Sequence, residues 1–326
     1  MDKRHHRVAQ VGMGPIGAEV VRVVLQKPWL ELVSVVDIDP EKIGRDVGEI
    51  LGLGHEIGVR VEGTLSGNPE VVCHSTRSRL SDVQDEILAL LGQGCHVVST
   101  CEELAFPLDH DVREAFQRAS HAANRSLLGT GVNPGFVLDK LALTLSAVCQ
   151  RIDSVRARRT VDAATRREPL QRKIGAGLTR EEFRVGVDSG RIRHMGLRES
   201  IHLLASGLNL AIESEASETI EPVIAEQEVS TEFITVPAGC VAGVHQTISA
   251  RSVDGVTLDL DLSMYVGASH AADELTIRGI PNVSMAIEGG IHGDRATAAI
   301  VVNAIPRIID ARPGVLTMDD ISISYH

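Results

Sequence analysis

Residues 96–107, HVVSTCEELAFP, set two adjacent glutamates, Glu102 and Glu103, directly after a short β-branched run. A side chain at the corner where a strand ends and a helix begins faces whatever binds along the strand ends. Lysine there would polarise a carbonyl, and a glycine-rich turn would hold an anion. A carboxylate suits other work. It takes a proton from ammonium or a carbinolamine, returns one to departing water, and stabilises an iminium by its charge. Desolvation would raise its pKa towards neutrality, where such exchange is efficient. Either glutamate fits, and the plainer use of the pair is to complement the dipole at a helix start.

The second chemical feature is VGMGPIG, which supplies Gly12, Gly14 and Gly17 in G-x-G-x-x-G spacing, with Pro15 and Ile16 inside the turn. The first glycine permits a tight turn and the second lets backbone approach a pyrophosphate. The third lets the following helix pack on its strand with its N-terminus towards the phosphates. Asp37 ends the next strand twenty residues after Gly17, placed to accept hydrogen bonds from both ribose hydroxyls of NAD(H). A 2′-phosphate would meet like charge there, although Arg45 and Arg77 leave room for NADP(H). The bland alternative is a strand-end cap, which Asp39 could supply instead. Ser75, Thr76 and Thr100 also end strands, and either approach the ribose and nicotinamide or satisfy local backbone. Asn133, in GVNPG, is expected to bond the nicotinamide amide, or else to form a turn before Pro134.

These residues need a scaffold. Apolar runs at 7–12, 31–37, 70–76, 96–100 and 126–132 alternate with amphipathic stretches at 16–26, 81–94 and 109–123, the rhythm of parallel βαβ units. Ser81 and Asp109 are the expected N-caps. After residue 135 a helix over 136–149 leads to a β-like stretch at 152–163, two helices near 179–190 and 195–208, and then long alternating strands. Asp254-Gly255 marks a hairpin. The expected fold is an N-terminal Rossmann doubly wound parallel sheet over 1–135, completed by about 294–326. A C-terminal α+β domain with a mostly antiparallel or mixed sheet follows over 136–293. The closing helix spans 293–310, and Thr297 near its start is placed either to line the active-site cleft or only to shape the helix terminus.

Composition narrows the partners. With 44 acidic against 32 basic residues and a net charge of −12, nucleic acid and anionic membrane surfaces are disfavoured. Cys73, Cys95, Cys101, Cys149 and Cys240 show no CxxC spacing, which argues for a reducing compartment. Neither a signal-peptide core nor an apolar run of the ~20 residues that span a bilayer is present. A cytoplasmic location is expected. The thirteen histidines form no HxxxH or HExxH pattern, so no metal is expected.

Taken in order, GMGPIG, VDIDPEKIGRD, STCEELAFP, GTGVNPGF, GLRES and GDRATAAIVVNAIP make the chain resemble the native amine dehydrogenases. These are relatives of 2,4-diaminopentanoate dehydrogenase in the dihydrodipicolinate-reductase-like superfamily. The resemblance implies a two-domain homodimer, associating through the long C-terminal strands. It implies reductive amination of a ketone or aldehyde with ammonia, and the reverse deamination, using a nicotinamide cofactor. It assigns the central proton-transfer role to Glu102, with Glu103 as the alternate, and a pocket-wall position to Phe136. Leu141 falls where some members carry tryptophan, which points to a differently shaped pocket. No HHxxKxDAPSG-like motif is present, which tells against dihydrodipicolinate reduction. Two rivals stand beside this reading. One is a diaminopentanoate or other amino-acid dehydrogenase, needing a charged clamp such as Arg159, Arg166 or Arg167; the other is a non-catalytic NAD(H)-binding sensor.

Overall fold

A computed structural model describes residues 5–326; Met1–Arg4, on which the signal-peptide expectation partly rests, lie outside the described residues. The chain forms two compact units. One runs to Phe136 and resumes over His292–His326; the other is Val137–Ile291.

The first unit opens with β1 (His6–Val11), α1 (Pro15–Leu25), β2 (Leu30–Val36), the single turn α2 (Val47–Ile50), and the two-residue β3 (Val61–Glu62). Then come β4 (Val71–His74), α3 (Leu80–Gly92), β5 (His96–Ser99), a 3-10 turn over Glu102–Ala105, α4 (His110–Ala123) and β6 (Ser126–Gly129). Every residue of β4, β5 and β6 is buried. That pattern belongs to parallel strands covered by helices on both faces. Ser81 does not cap α3. The helix begins at Leu80 after Arg79, with no cap from its own N-terminal side chains. Asp109 does cap α4, accepting from the Asp111 and Val112 amides.

His96 opens β5 and is buried. Its Nδ1 accepts the Ser126 amide at 3.2 Å, the arrangement of a neutral ring. Burial, aided by the charge of Arg125 and opposed by Glu70, pushes its pKa from 6.5 down to about 4. The unfolded chain binds this proton below its ordinary pKa, but the folded protein does not until about 4. Stability should therefore fall as the pH drops through that window, by at most about 3 kcal/mol. Urea titrations at about pH 7 and about pH 5 would show wild type losing more than His96→Gln; equal losses would refute the assignment.

The second unit contains α5 (Lys140–Ser146), β7 (Arg151–Asp162), α6 (Glu168–Lys173), α7 (Arg180–Asp188) and α8 (Leu197–Gly207). Its remaining strands are β8 (Ser217–Ile224), β9 (Val229–Ser230), β10 (Thr235–Val236), β11 (Val241–Arg251), β12 (Thr257–Tyr265), β13 (Ala272–Ile280) and β14 (Val283–Glu288). The helix expected over 136–149 is shorter because Asp139 has non-helical backbone and itself caps α5 through the Lys140 amide. Six strands form a mixed sheet in the order β14-β13-β7-β12-β11-β8, with β7–β12 the parallel pair among antiparallel neighbours. Gly255, at φ +88°, turns the chain between β11 and β12, at the expected Asp-Gly hairpin. One face buries Val155, Ala157, Ile248, Leu260 and Leu275. α8 packs on β11 and β12, and α5 on β7 and β13. On the strand positions that alternate with these, Arg158 pairs with Asp261 (3.3 Å), and Ser249 donates to Asp259 (2.6 Å).

The chain then returns to the first unit as α9 (Gly293–Ile309) and β15 (Gly314–Leu316). α9 packs beside α1, and β15 extends the sheet from β6. The completed seven-stranded sheet reads β15-β6-β5-β4-β1-β2-β3, with every pairing parallel. Its order reverses between β1 and β4, and ligands of such sheets bind at the strand ends beside that reversal.

Candidate active site

The parallel pairing places the ends of β1, β2, β4, β5 and β6 on one edge of the sheet. Gly12, Asp37, Ser75, Thr100 and Thr130 follow those strands directly. The Ser75 amide donates to Val11 (2.8 Å), Thr100 to His74 (2.9 Å) and Thr130 to Ser99 (2.9 Å), so each strand end is tied to its neighbour.

The glycine turn has the shape its spacing implied. Gly12 takes φ +86°, and a Cβ there would stand 2.4 Å from the Ser75 carbonyl oxygen; one on Gly17 would stand 1.9 Å from that of Gly12. A Cβ on Gly14 would meet nothing within 4 Å. Gly14 is the N-cap of α1 with Pro15 just inside. No side chain caps this terminus and no acid lies in its first turn. A helix N-terminus with neither a side-chain cap nor an acid is the arrangement that receives a phosphate. The Ser75 hydroxyl is buried beside the turn without a protein partner, which suits a site finished by a ligand. Gly17→Ala should cost about 1–3 kcal/mol or more through overpacking. Gly14→Ala should melt like wild type yet lose NADH binding. Thermal melts with NADH fluorescence titration separate the two, and normal NADH affinity in Gly14→Ala would refute the phosphate role.

Asp37 does more than was expected of it. Its Oδ2 accepts the Met13 amide (2.7 Å) and its Oδ1 the Asp39 amide (2.9 Å), so it braces the glycine turn from across the loop. Burial pushes its pKa up, but these amides and Lys42 outweigh that and hold the carboxyl below its ordinary range. Oδ2 also accepts from Lys42 Nζ at 3.3 Å, while Oδ1 keeps a lone pair for a ribose hydroxyl. The cation beside it is Lys42 (3.3 Å), which sequence reading missed; Arg45 is instead engaged with Glu49 (2.9 Å). Ile38, also missed, is 83% exposed next to Asp37 and offers an apolar wall.

At the acidic corner the two glutamates part company. Glu103 Oε2 accepts the Leu80 amide at 2.7 Å and so caps α3 in place of the expected Ser81. Glu102 is half-buried at the start of the 3-10 turn. That turn lies so close to β6 that a Cβ on Gly129 would come within 2.3 Å of the Leu104 carbonyl carbon. Burial, with both glutamates adding to it, pushes the Cys101 thiol up to about 12, so it is no thiolate nucleophile. Thr297 Oγ1 accepts the Val132 amide (3.1 Å), anchoring the loop that carries the half-buried Asn133. Phe136 ends the first leg of this unit, while Leu141 lies on α5 of the other; both are half-buried.

Among the described residues no helix is long and apolar enough to cross a membrane, and no group of three or more His, Cys, Asp or Glu could hold a metal ion. Residues 136–325 match the family model of the 2,4-diaminopentanoate dehydrogenase C-terminal domain. The chain belongs to that family. The match takes in the whole second unit together with the returning α9 and β15. A 2,4-diaminopentanoate dehydrogenase from Acetoanaerobium sticklandii is 27% identical, over 97% of this chain and 93% of that one. An amine dehydrogenase from Streptomyces virginiae is 25% identical, over 96% and 95%. The solved amine dehydrogenase of Mycobacterium smegmatis superposes with a TM-score of 0.86 at 23% identity, over 98% and 97%, and so shares the fold.

Within this family member, Arg159 is not the substrate clamp that its sequence allowed. Its Nη1 donates to both Asp273 oxygens at 2.9 Å, and the Ile291 carbonyl takes its other amino group. Gln171 on α6 is buried and donates to the Ala164 (3.3 Å) and Arg166 (2.7 Å) carbonyls. The neighbouring Ile174 packs with Phe183 and Ile192 in the core of its own unit. His292 caps α9 by accepting from the Arg295 amide.

Proposed function

We propose that the protein is a cytoplasmic, homodimeric NAD(H)-dependent amine dehydrogenase. It aminates a ketone or aldehyde with ammonia, or deaminates an amine in reverse, and tolerates NADP(H). The observation that carries this reading is the half-buried carboxylate of Glu102, in the turn that follows β5 at the strand-end edge of the sheet. Family membership and the two full-length relatives named above support it.

The dinucleotide would be held by the turn Gly12, Gly14, Pro15, Ile16 and Gly17 at its pyrophosphate and by Asp37 at the ribose. Ser75, Thr76, Thr100 and Asn133 take its nicotinamide half. When bound it supplies or accepts the hydride. Glu102 takes a proton from ammonium so that the amine can attack the carbonyl. Its carboxylic acid then protonates the departing hydroxyl of the carbinolamine, and its carboxylate faces the resulting iminium. Phe136, Leu141 and Thr297 are assigned to the substrate walls. The five cysteines are all free thiols, which suits a reducing compartment.

The test follows NADH consumption with ammonia and a panel of aliphatic ketones and aldehydes. Ammonia-dependent turnover supports the proposal; NADH binding with none across the panel rejects it and favours the sensor. An amino-acid substrate would require a clamp other than Arg159. Asp37→Ser should raise the NADPH-to-NADH ratio of kcat/KM by about tenfold or more, because a like-charge contact of about 1–4 kcal/mol is removed and Lys42 remains. An unchanged ratio would remove Asp37 from cofactor selection. Light scattering tests the homodimer.

A further inference from the structure

β4 is built of Val71, Val72 and Cys73, then closes on a histidine. His74 is wholly buried, and so is Ser99 on the neighbouring β5. A buried imidazole costs free energy unless its nitrogens are bonded, and leucine would fill the space without that demand. Here both nitrogens are engaged. Nε2 lies 2.8 Å from Glu86 Oε2 on α3, and Nδ1 lies 2.8 Å from Ser99 Oγ. The Glu86 carboxyl is held below its ordinary range, chiefly by the bond from His74. A carboxylate only accepts, so Nε2 carries a proton, and Nδ1 on the other side of the ring bonds the Ser99 hydroxyl. Ser99 Oγ in turn accepts the Cys101 amide at 3.1 Å. The next residue is Glu102.

The opposite end of this chain reaches the glycine turn. Thr76 Oγ1 lies 2.9 Å from His74 Nε2 and donates to Glu86 Oε2 at 3.2 Å. Its methyl group lies where a Cβ on Gly12 would come within 2.9 Å. One continuous set of hydrogen bonds therefore runs from the wall of the cofactor turn, through a fixed imidazole, to the backbone that aims the corner glutamate. The Nε2 proton is shared between Glu86 Oε2 and Thr76 Oγ1, and a buried network in which every member is bonded is rigid.

We propose that Glu86, His74 and Ser99 form a positioning relay that fixes the Cys101–Glu102 backbone relative to the cofactor turn. This rests on the reading of Glu102 as the proton-transfer group. The relay residues transfer no proton to substrate; they set where Glu102 stands. Ser99→Ala removes the acceptor of the Cys101 amide with almost no change of volume. His74→Leu removes the whole link, and His74→Asn returns an acceptor near the place of Nδ1. Glu86→Ala, on a side chain 41% exposed, frees the imidazole with little risk to folding.

The experiment measures kcat for ammonia-dependent NADH oxidation per NADH-binding site, NADH affinity by fluorescence, and amide hydrogen exchange over residues 99–105. Expected for Ser99→Ala and His74→Leu is a kcat lower by about tenfold, of the size that misplacing a catalytic group produces. NADH affinity should stay within about twofold and corner exchange should quicken. His74→Asn should recover most of both losses, and Glu86→Ala should fall between. A merely structural role would lower the number of binding sites and leave kcat per site intact. Wild-type kcat and exchange in Ser99→Ala and Glu86→Ala would overturn the relay, even if His74→Leu failed to fold. If wild type binds NADH but never turns over, the amine dehydrogenase reading fails by itself. Exchange then decides the relay: quicker exchange in Ser99→Ala sustains it and unchanged exchange overturns it.

Discussion

Glutamine in place of Glu102 is expected to lower kcat for ammonia-dependent NADH oxidation by about 10²–10⁴-fold, the usual worth of a positioned acid–base group. NADH affinity should hardly change, because the glycine turn and Asp37 lie on other strands of the sheet. Glutamine keeps the size and hydrogen-bonding reach of the side chain but can neither accept the ammonium proton nor carry charge towards an iminium. The neighbouring substitution should behave in the opposite way. Glu103→Ala removes the carboxylate that caps α3 through Leu80, at a cost of about 1 kcal/mol and therefore about 2–4 °C in melting temperature. Its kcat should remain within a few-fold of wild type. Steady-state kinetics, NADH titration and thermal melts on the two variants decide the assignment. Full activity in Glu102→Gln would remove the residue from the chemistry, and a silent Glu102 beside an inactive, normally stable Glu103→Ala would exchange their roles.

That assignment shows where one-dimensional reading stops. The first sheet and its flanking helices were legible because a fully buried parallel strand reads as a continuous apolar run, and its helices repeat every three to four residues. The glycine turn was legible because its requirements are local: a positive φ at Gly12 and a close approach at Gly17 leave glycine as the residue that fits. The two glutamates could not be told apart, because what separates them is an amide on Leu80, twenty-three positions earlier. The same remote carboxylate displaced Ser81 as the cap of α3, a position that local rules alone would give it. Lys42 lies in an irregular loop with no period to mark it, yet stands 3.3 Å from Asp37. His74 and Ser99 read as ordinary strand residues; the alignment of β4 with β5 makes them partners.

Arg159 is the sharpest case, since a substrate clamp and a structural brace make opposite forecasts. Arg159 is 3% exposed and Asp273 is 2% exposed. Burial pushes the arginine pKa down and the aspartate pKa up, away from their charged forms, and their contact with each other opposes both shifts. Asp273 Oδ2 also accepts the Ile291 amide at 2.7 Å, and Arg159 donates to the Ile291 carbonyl, so the pair grips the last residue of its unit. Arg159→Met should cost about 3–5 kcal/mol, the price of leaving a buried carboxylate unpaired. Asp273→Leu alone should cost a similar amount by stranding the guanidinium. The double variant should be markedly more stable than either, because two apolar side chains demand no partner; coupling of that size is measurable in a double-mutant cycle. Urea denaturation of the four proteins gives the cycle. A clamp predicts little change in stability from any of them and a large rise in KM for a carboxylate-bearing substrate. Additive stability losses, or a selective KM effect in a stable Arg159→Met, would return Arg159 to the substrate and bring the amino-acid dehydrogenase reading back with it.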